Sequence, residues 1–361
     1  MLRAFGGLIV RVKADHLKKI GLSLLQSAGV AYQEALIVAE NLVEAEMRGV
    51  PTHGINMLPT IIQRIEHNQI EVPTKLKVIA DEKAITHIDG GNGLGQVAAT
   101  EGMGRSIEKA REFGVGLSLI RNTNNIGLLA LYSLIATEEK MIGVCMCNGA
   151  ASMAPWGGAE PFFGTNPFSI AAPTGTEETV VLDMSTAVAA RGKIRRAVRM
   201  KEPIPYGWAL DERGVPTTDP EEALKGTLVP IGEHKGYGMA FFIDLICGLL
   251  SGSAYARAVR TFHRPEGPTG VGVMTMAIDI SRFMPISRFA ELMNEHIRAI
   301  RSSTKAKGHE KIYLPGEIET ENMRLSREQG VEIDLPVSLS IDSLLKKMGM
   351  SIRIEEGEIK E

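Results

Sequence analysis

The sequence predicts an α/β fold in which helices flank a largely parallel sheet and a helical unit precedes it. Three observations carry this. Apolar residues recur at helical spacing from Leu17 to Ile65. From Val72–Pro73 onward, short apolar strands alternate with amphipathic helices, the signature of βα units. The composition is that of an ordinary globular chain, with 361 residues, 44% hydrophobic and 23% charged.

The elements follow in order. Residues 15–29 read as a helix with Asp15 as N-cap, Leu17, Ile20, Leu24 and Leu25 on one face, and Gly29 as its stop. Residues 33–48 form a second helix, broken at Gly49, Pro51 and Gly54, and 57–67 a third. Strands are predicted at 84–89, 114–122, 141–148, 168–173, 179–185 and 270–280. Helices are predicted at 97–113, 127–140, 187–200, 235–252 (buried) and 286–300. The stretch 207–226 is loop-rich with a turn at Glu212–Gly214, and 301–361 mixes charge clusters with short apolar runs. Three units are expected: a helical unit over 1–72, an α/β core over 73–285, and C-terminal helices and tail over 286–361 packing on the first unit.

Charge and cysteine content narrow the function. Lys and Arg number 40 against 43 Asp and Glu, and aromatics are 5%, which excludes a nucleic-acid binder that works through a basic face or stacking platforms. Three cysteines, Cys145, Cys147 and Cys247, supply neither a zinc spacing nor a disulfide framework, and point to a reducing, cytosolic compartment. The opening MLRAFGGLIVRVKAD lacks a signal peptide's cleavage site, and the longest apolar run, 239–252, contains Asp244 and is too short to span a bilayer.

Several loops could carry chemistry. Gly90, Gly91, Gly93 and Gly95 lie in a strand-to-helix turn, where bare amides attract pyrophosphate. Their spacing is GGxGxG, though, and the next strand ends in Arg121–Asn122 rather than an acid, so a tight loop competes with a dinucleotide site. Thr52-His53-Gly54 presents a histidine between breakers, able to lend or take a proton, with a plain surface histidine as the alternative. In 155–173, Thr165 and Asn166 either meet a ligand or build a turn. Asp183 ends a strand ahead of Arg191, Lys193, Arg195 and Arg196, which suit an anion or a solvated helix face. His234 and Lys235 open a helix, and LPGE (314–317) is a further turn with an acid.

Together PTHG (51–54), DGGNGLGQVAA (89–99), NTNNIG (122–127), GGAEPFFGTNP (157–167), LDMSTAVAARGKI (182–194), PYGWALDERGVPTTDP (205–220), GEHKGYG (232–238) and LPGE (314–317) cover nearly the whole chain in order. They resemble the malate/L-lactate dehydrogenase family of the non-Rossmann kind, which also contains ureidoglycolate and sulfolactate dehydrogenases and a cyclic imine reductase. The resemblance implies a non-Rossmann NAD(P)-binding fold with a mixed, largely parallel sheet, a homodimer with its active site near the subunit contact, and NAD or NADP as cofactor. It implies His53 as general acid/base and Thr52 as its hydroxyl partner. It places the cofactor against Asn125, Ile126, Gly127, Leu128 and Leu129, against Asp183, Met184 and Ser185, against His234 and Lys235, and against Pro315, Gly316 and Glu317. Thr165 falls near substrate or nicotinamide.

Two positions depart from the family pattern. Asn125 stands where a histidine is common, and Met57 where an arginine commonly clamps the substrate carboxylate. Arg48 is the substitute for that clamp, with Arg191 and Lys193 behind it. The absence of an acid near Lys193 favours the malate branch over the reductase branch. The expected activity is reversible hydride transfer between nicotinamide and C2 of malate/oxaloacetate. Another 2-oxo acid or a cyclic imine is the alternative within the enzyme class, and a catalytically silent dinucleotide-binding sensor the alternative outside it.

Overall fold

The computed structural model describes residues 9–176 and 179–357; the first eight residues of the opening segment lie outside them. The chain runs through β1 (Ile9–Val12), α1 (Ala14–Ser27), α2 (Tyr32–Met47), α3 (Leu58–Glu66), β2 (Lys77–Glu82), β3 (Ile85–Asp89), α4 (Gly95–Phe113), β4 (Val115–Thr123), α5 (Ala130–Glu138), β5 (Met141–Cys147), β6 (Phe168–Pro173) and β7 (Thr179–Met184). It continues through α6 (Arg191–Met200), β8 (Ala209–Leu210), β9 (Pro216–Thr217), α7 (Pro220–Lys225), β10 (Thr227–Leu228), α8 (His234–Asp244), β11 (Val271–Asp279), α9 (Ile286–Ser302), α10 (Glu317–Gln329), β12 (Val331–Asp334) and α11 (Leu335–Lys347).

The seven strands of the main sheet lie in the order β2-β3-β4-β11-β5-β6-β7. The sheet is mixed and flanked by helices, as the alternation predicts, but it is not largely parallel. Of its six pairings only β3 with β4 is parallel. The cause is β11. β4, α5 and β5 form a crossover unit whose strands run the same way, as such units must. The late strand β11 inserts between them, antiparallel to both, pairing Thr275 with Ser118 on one side and Cys145 on the other. The short turns β2–β3 and β6–β7 impose hairpins at the two edges.

α4 lies across this sheet. Its Ser106 hydroxyl is fully buried, 3.0 Å from the Thr275 hydroxyl, and donates to Ser118 Oγ at 3.1 Å. Cys145 and Cys147 point into the same apolar cluster with Val273 and Ala277. All three cysteines are free and buried.

The first unit is not purely helical. β1 pairs antiparallel with β12, so the C-terminal segment returns to close it. Leu17, Leu24, Val38 and Leu42 of α1 and α2 share a core with Val331 and Ile333 of β12 and Ile341 and Leu345 of α11. α9 lies elsewhere, against the turn after β6, where Ala290 meets Gly175. The α1 N-cap is Lys13 rather than Asp15, which sits in the first turn with its charge toward the helix dipole. α6 starts at Arg191, not 187, because Ala187 is held in an extended bridge to Pro230. The predicted buried helix 235–252 is α8 followed by π-helical turns over Leu245–Leu250, and one face is open, with Phe242 62% and Leu250 63% exposed. The loop-rich stretch 207–226 contains the small sheet β10-β8-β9. No helix among the described residues is long and apolar enough to cross a membrane.

One buried cation joins the two units. Arg64 of α3 is fully buried and donates from Nη1 to the carbonyls of Phe262 (3.3 Å) and Arg264 (2.8 Å), and from Nη2 to Gly267 (2.6 Å). Its guanidinium lies 5.1 Å from the Phe262 ring centroid. The segment before β11 is thereby fixed to the N-terminal unit. Arg64→Met keeps the volume but strands three carbonyls, so it is expected to lower unfolding free energy by about 3 kcal/mol in urea titration.

Candidate active site

Thr52 and His53 sit in a helical turn, Pro51–His53, directly after α2. The turn is tight because Gly49, with φ +75°, ends α2 and Pro51 starts the next turn. Thr52 Oγ1 lies 3.0 Å from His53 Nδ1, leaving Nε2 without a hydrogen bond among the described residues. Burial lowers the His53 pKa below its ordinary 6.5. A neutral, aimed imidazole with one free nitrogen can accept a proton or, once protonated, donate one.

The basic start of α6 packs on this pair. A Cβ on Gly192 would lie 2.7 Å from Thr52 Cγ2, so only glycine lets the helix come this close. Arg191 donates to the Leu224 carbonyl, and burial followed by Arg195 lowers its pKa. Lys193 lies 5.9 Å over the Trp208 ring. On the loop that Arg64 holds, burial first, then Arg195 and His53, push His263 down to about 4. Arg195 and His263 therefore belong to the surroundings of His53. Sequence reading left His263 among the breakers Pro265, Gly267 and Pro268, where nothing local marks it.

Both positions singled out for a carboxylate clamp, Met57 and Arg48, are buried. Met57 is buried in the helical core. Arg48 is 6% exposed, and its Nε and Nη2 both engage Glu44 Oε1, at 2.9 and 2.8 Å. Its charge bears on Asp183 instead.

The segments expected to meet the cofactor converge on the end of β7. Asp183 accepts from the amides of Ala130 (2.6 Å) and Leu129, capping α5; burial raises its pKa to about 6, with Glu319 adding and Arg48 opposing. The Val181 amide donates to the Pro315 carbonyl at 3.2 Å, and Gly316, with φ +82°, lies flat on Val181. The Ile231 amide donates to the Thr186 carbonyl at 2.9 Å, bringing His234 and Lys235 alongside Met184 and Ser185. Thr165 joins them, its carbonyl accepting from the Thr186 amide and hydroxyl, both at 2.8 Å.

Within this strip some groups are already used. Ile126, Leu128 and Leu129 bury their side chains, Gly127 lies against Asn41, and Asn125 Oδ1 accepts from the Gly127 amide. Glu317 accepts from the Leu314 amide, Arg301 and Lys311, which overcome its burial and hold its pKa low. Asn166 is fully buried and bonds the Gly149 amide and the Ala240 carbonyl, so of the pair 165–166 only Thr165 stays accessible. The glycine cluster is a packing loop: side chains on Gly90 and Gly95 would strike the carbonyls of Arg121 and Asn125. This close packing favours the tight-loop reading of that motif. No group of three or more His, Cys, Asp or Glu among the described residues could hold a metal.

A family model for malate/L-lactate dehydrogenases matches residues 12–341. The chain belongs to that family. The enzyme is 36% identical over 349 residues to a malate dehydrogenase of Pyrococcus horikoshii, covering 94% of this chain and 96% of the relative. It is 36% identical over 341 residues to an L-sulfolactate dehydrogenase of Methanocaldococcus jannaschii, covering 94% and 98%. Its structure matches that of a malate dehydrogenase from Entamoeba histolytica with a TM-score of 0.92 and 30% identity, over 96% and 99% of the two chains. Members are NAD(P)-dependent dehydrogenases that act on a CH–OH group of a hydroxy acid, and so is this enzyme.

The Gly192–Thr52 contact is testable. Gly192→Ala is expected to turn the Thr52 side chain off His53 and lower kcat about tenfold to a hundredfold. The double variant Gly192→Ala/Thr52→Ser, which removes the methyl group in the way, is expected to recover most of it in steady-state assays.

Proposed function

We propose that the enzyme interconverts malate and oxaloacetate, with His53 as general acid/base. The observation that carries this is the Thr52–His53 pair at 3.0 Å with the N-terminus of a basic helix packed against it. In reduction, negative charge grows on the carbonyl oxygen at C2. Protonated His53 donates from Nε2 to that oxygen, while the Thr52 hydroxyl accepts from Nδ1 and fixes the ring. In oxidation, neutral His53 takes the hydroxyl proton back. Arg191 and Arg195, on the same face of α6, offer the positive field that a substrate with two anionic groups needs. Arg48 serves this field at longer range, through the Asp183 end of the site.

The residues present fit a dinucleotide. His234 and Lys235 are exposed at the start of the eleven-residue α8, opposite half-exposed Met184 and Ser185. A cation at a positive helix end suits pyrophosphate. Bound there, the nicotinamide cofactor supplies or accepts the hydride at C2. Thr165 borders the same strip through its bond to Thr186.

The test is turnover of a panel of 2-oxo acids followed at the nicotinamide absorbance. Oxaloacetate is expected to be the best substrate. Preference for sulfopyruvate or an imine would reassign the substrate, and nucleotide binding without turnover of any would favour the sensor reading. His53→Ala is expected to lower kcat by roughly 10²–10⁴-fold. Because burial lowers the His53 pKa, kcat/KM for malate oxidation should rise with pH through a midpoint below 6.5, and that for oxaloacetate reduction should fall through the same midpoint.

We also propose a homodimer. The open face of α8 and the turns after it exposes Phe241, Phe242, Leu249 and Leu250, large apolar side chains of the kind a subunit contact covers. Phe242→Asp is expected to shift the sedimentation coefficient from dimer to monomer; a monomeric wild type would overturn the proposal.

A further inference from the structure

Directly beneath the catalytic turn lies a carboxyl group to which nothing above assigns a role. Glu46, in the last turn of α2, is 7% exposed. Its Oε1 accepts from the Ile55 amide at 2.9 Å, bridging the end of α2 to the residues just past His53. Gly54 rests on this carboxyl so closely that any Cβ there would overlap Oε1, Cδ and Cγ. The turn Thr52–Gly54 is thus seated on Glu46 from below and on Gly192 from the side.

The surroundings of Glu46 hold little that favours a negative charge. α1 meets this part of α2 through Gly21, which touches Ala39 and the Ile55 side chain. The α10 side chains that reach the end of α2, Asn322 and Ser326, donate to the Arg48 and Met47 carbonyls. The charge that bears on Glu46 is Asp334, at the end of β12, which repels it and is itself 3.8 Å from Arg196 of α6. The other titratable group close in sequence and space is His53.

We propose that Glu46 is a positioning residue for His53: its neutral carboxyl holds the Thr52–Gly54 turn in the catalytic geometry, and loss of its proton releases that turn. This rests on the assignment of His53 as the general acid/base. A carboxylate would accept from Ile55 equally well, but burial strips most of its hydration, and the charge that bears on it among the described residues is Asp334, which repels it. It is relieved only by hydration or by a swing of the side chain, and either opens the space on which Gly54 rests. Burial first, and Asp334 after it, raise the Glu46 pKa to about 8, against the opposing Ile55 bond. The neutral form therefore dominates at pH 7, and turnover should fall as pH rises through that value. The Glu46 limb lies above the His53 limb, so the two separate in the direction of hydroxy-acid oxidation.

The experiment compares kcat against pH for wild type, Glu46→Gln and Glu46→Ala in that direction, alongside the infrared stretch of protonated carboxyl groups. Wild type is expected to lose activity above about pH 8, with a carboxyl band that fades at the same midpoint. Glu46→Gln keeps the acceptor and cannot titrate, so it should lack both the alkaline fall and the band. Glu46→Ala should lose at least tenfold in kcat relative to wild type at pH 7, with cofactor affinity unchanged. An alkaline fall that survives in Glu46→Gln, or a wild-type band absent at pH 7, overturns the proposal. The band is read without substrate, and its midpoint near 8 sets it apart from that of Asp183 near 6, so it reports the state of Glu46 even if Glu46→Gln fails to fold. Full turnover in His53→Ala would instead strike the functional assignment and leave the band untouched.

Discussion

The proposed site depends on how closely the turn that carries His53 is gripped. Thr52 and His53 stand on a few residues between α2 and α3, with no sheet to hold them. What fixes the imidazole is close packing on two sides, by the carboxyl of Glu46 under Gly54 and by the backbone of Gly192 against Thr52. Both contacts exist only because the chain has glycine at the point of approach. A histidine on a loose turn would sample many orientations, and general acid/base catalysis needs one. The helical unit, the basic helix α6 and the loop held by Arg64 all converge on that imidazole.

Much of the fold was legible because its signals are local. α1, α2, α3 and α4 announce themselves by apolar spacing, and β3, β4, β5, β6, β7 and β11 by short apolar runs between breakers, with ends off by a few residues. Strand direction was not legible. β5 ends at Cys147 and β11 begins only at Val271, and nothing in GVGVMTMAIDI says that it lies between β4 and β5. β2 was missed because KVIADE is exposed at a sheet edge and carries too few apolar residues to read as a strand. The β1–β12 pairing joins segments from opposite ends of the chain, and four-residue strands give no periodicity to detect.

The site divides in the same way. His53 and Thr52 are adjacent in sequence, so their hydrogen bond could be foreseen. The strip along β7 was foreseen as separate blocks through family resemblance, and the structure shows what stitches them: backbone bonds from Val181 to Pro315 and from Ile231 to Thr186. Glu46 and His263 escaped notice for physical reasons. A glutamate in a helix reads as a solvated face until its burial is seen, and His263 reaches the site only because Arg64, 199 positions earlier by number, holds its loop. The glycine cluster shows a role that its spacing alone did not reveal, since its missing side chains make room for neighbouring carbonyls.

The position of β11 has a consequence for biosynthesis. While the chain emerges from the ribosome, β4 and β5 are complete long before β11 exists, and each then presents an unsatisfied row of amides and carbonyls toward the place that β11 will fill. The nascent protein must carry this gap in the middle of its sheet until Val271–Asp279 has been made. A product that stops short of Val271 would keep both raw edges, with Cys145, Cys147 and their apolar neighbours beside them. Premature termination between Cys147 and Val271 therefore yields fragments with bare strand edges rather than a smaller working domain.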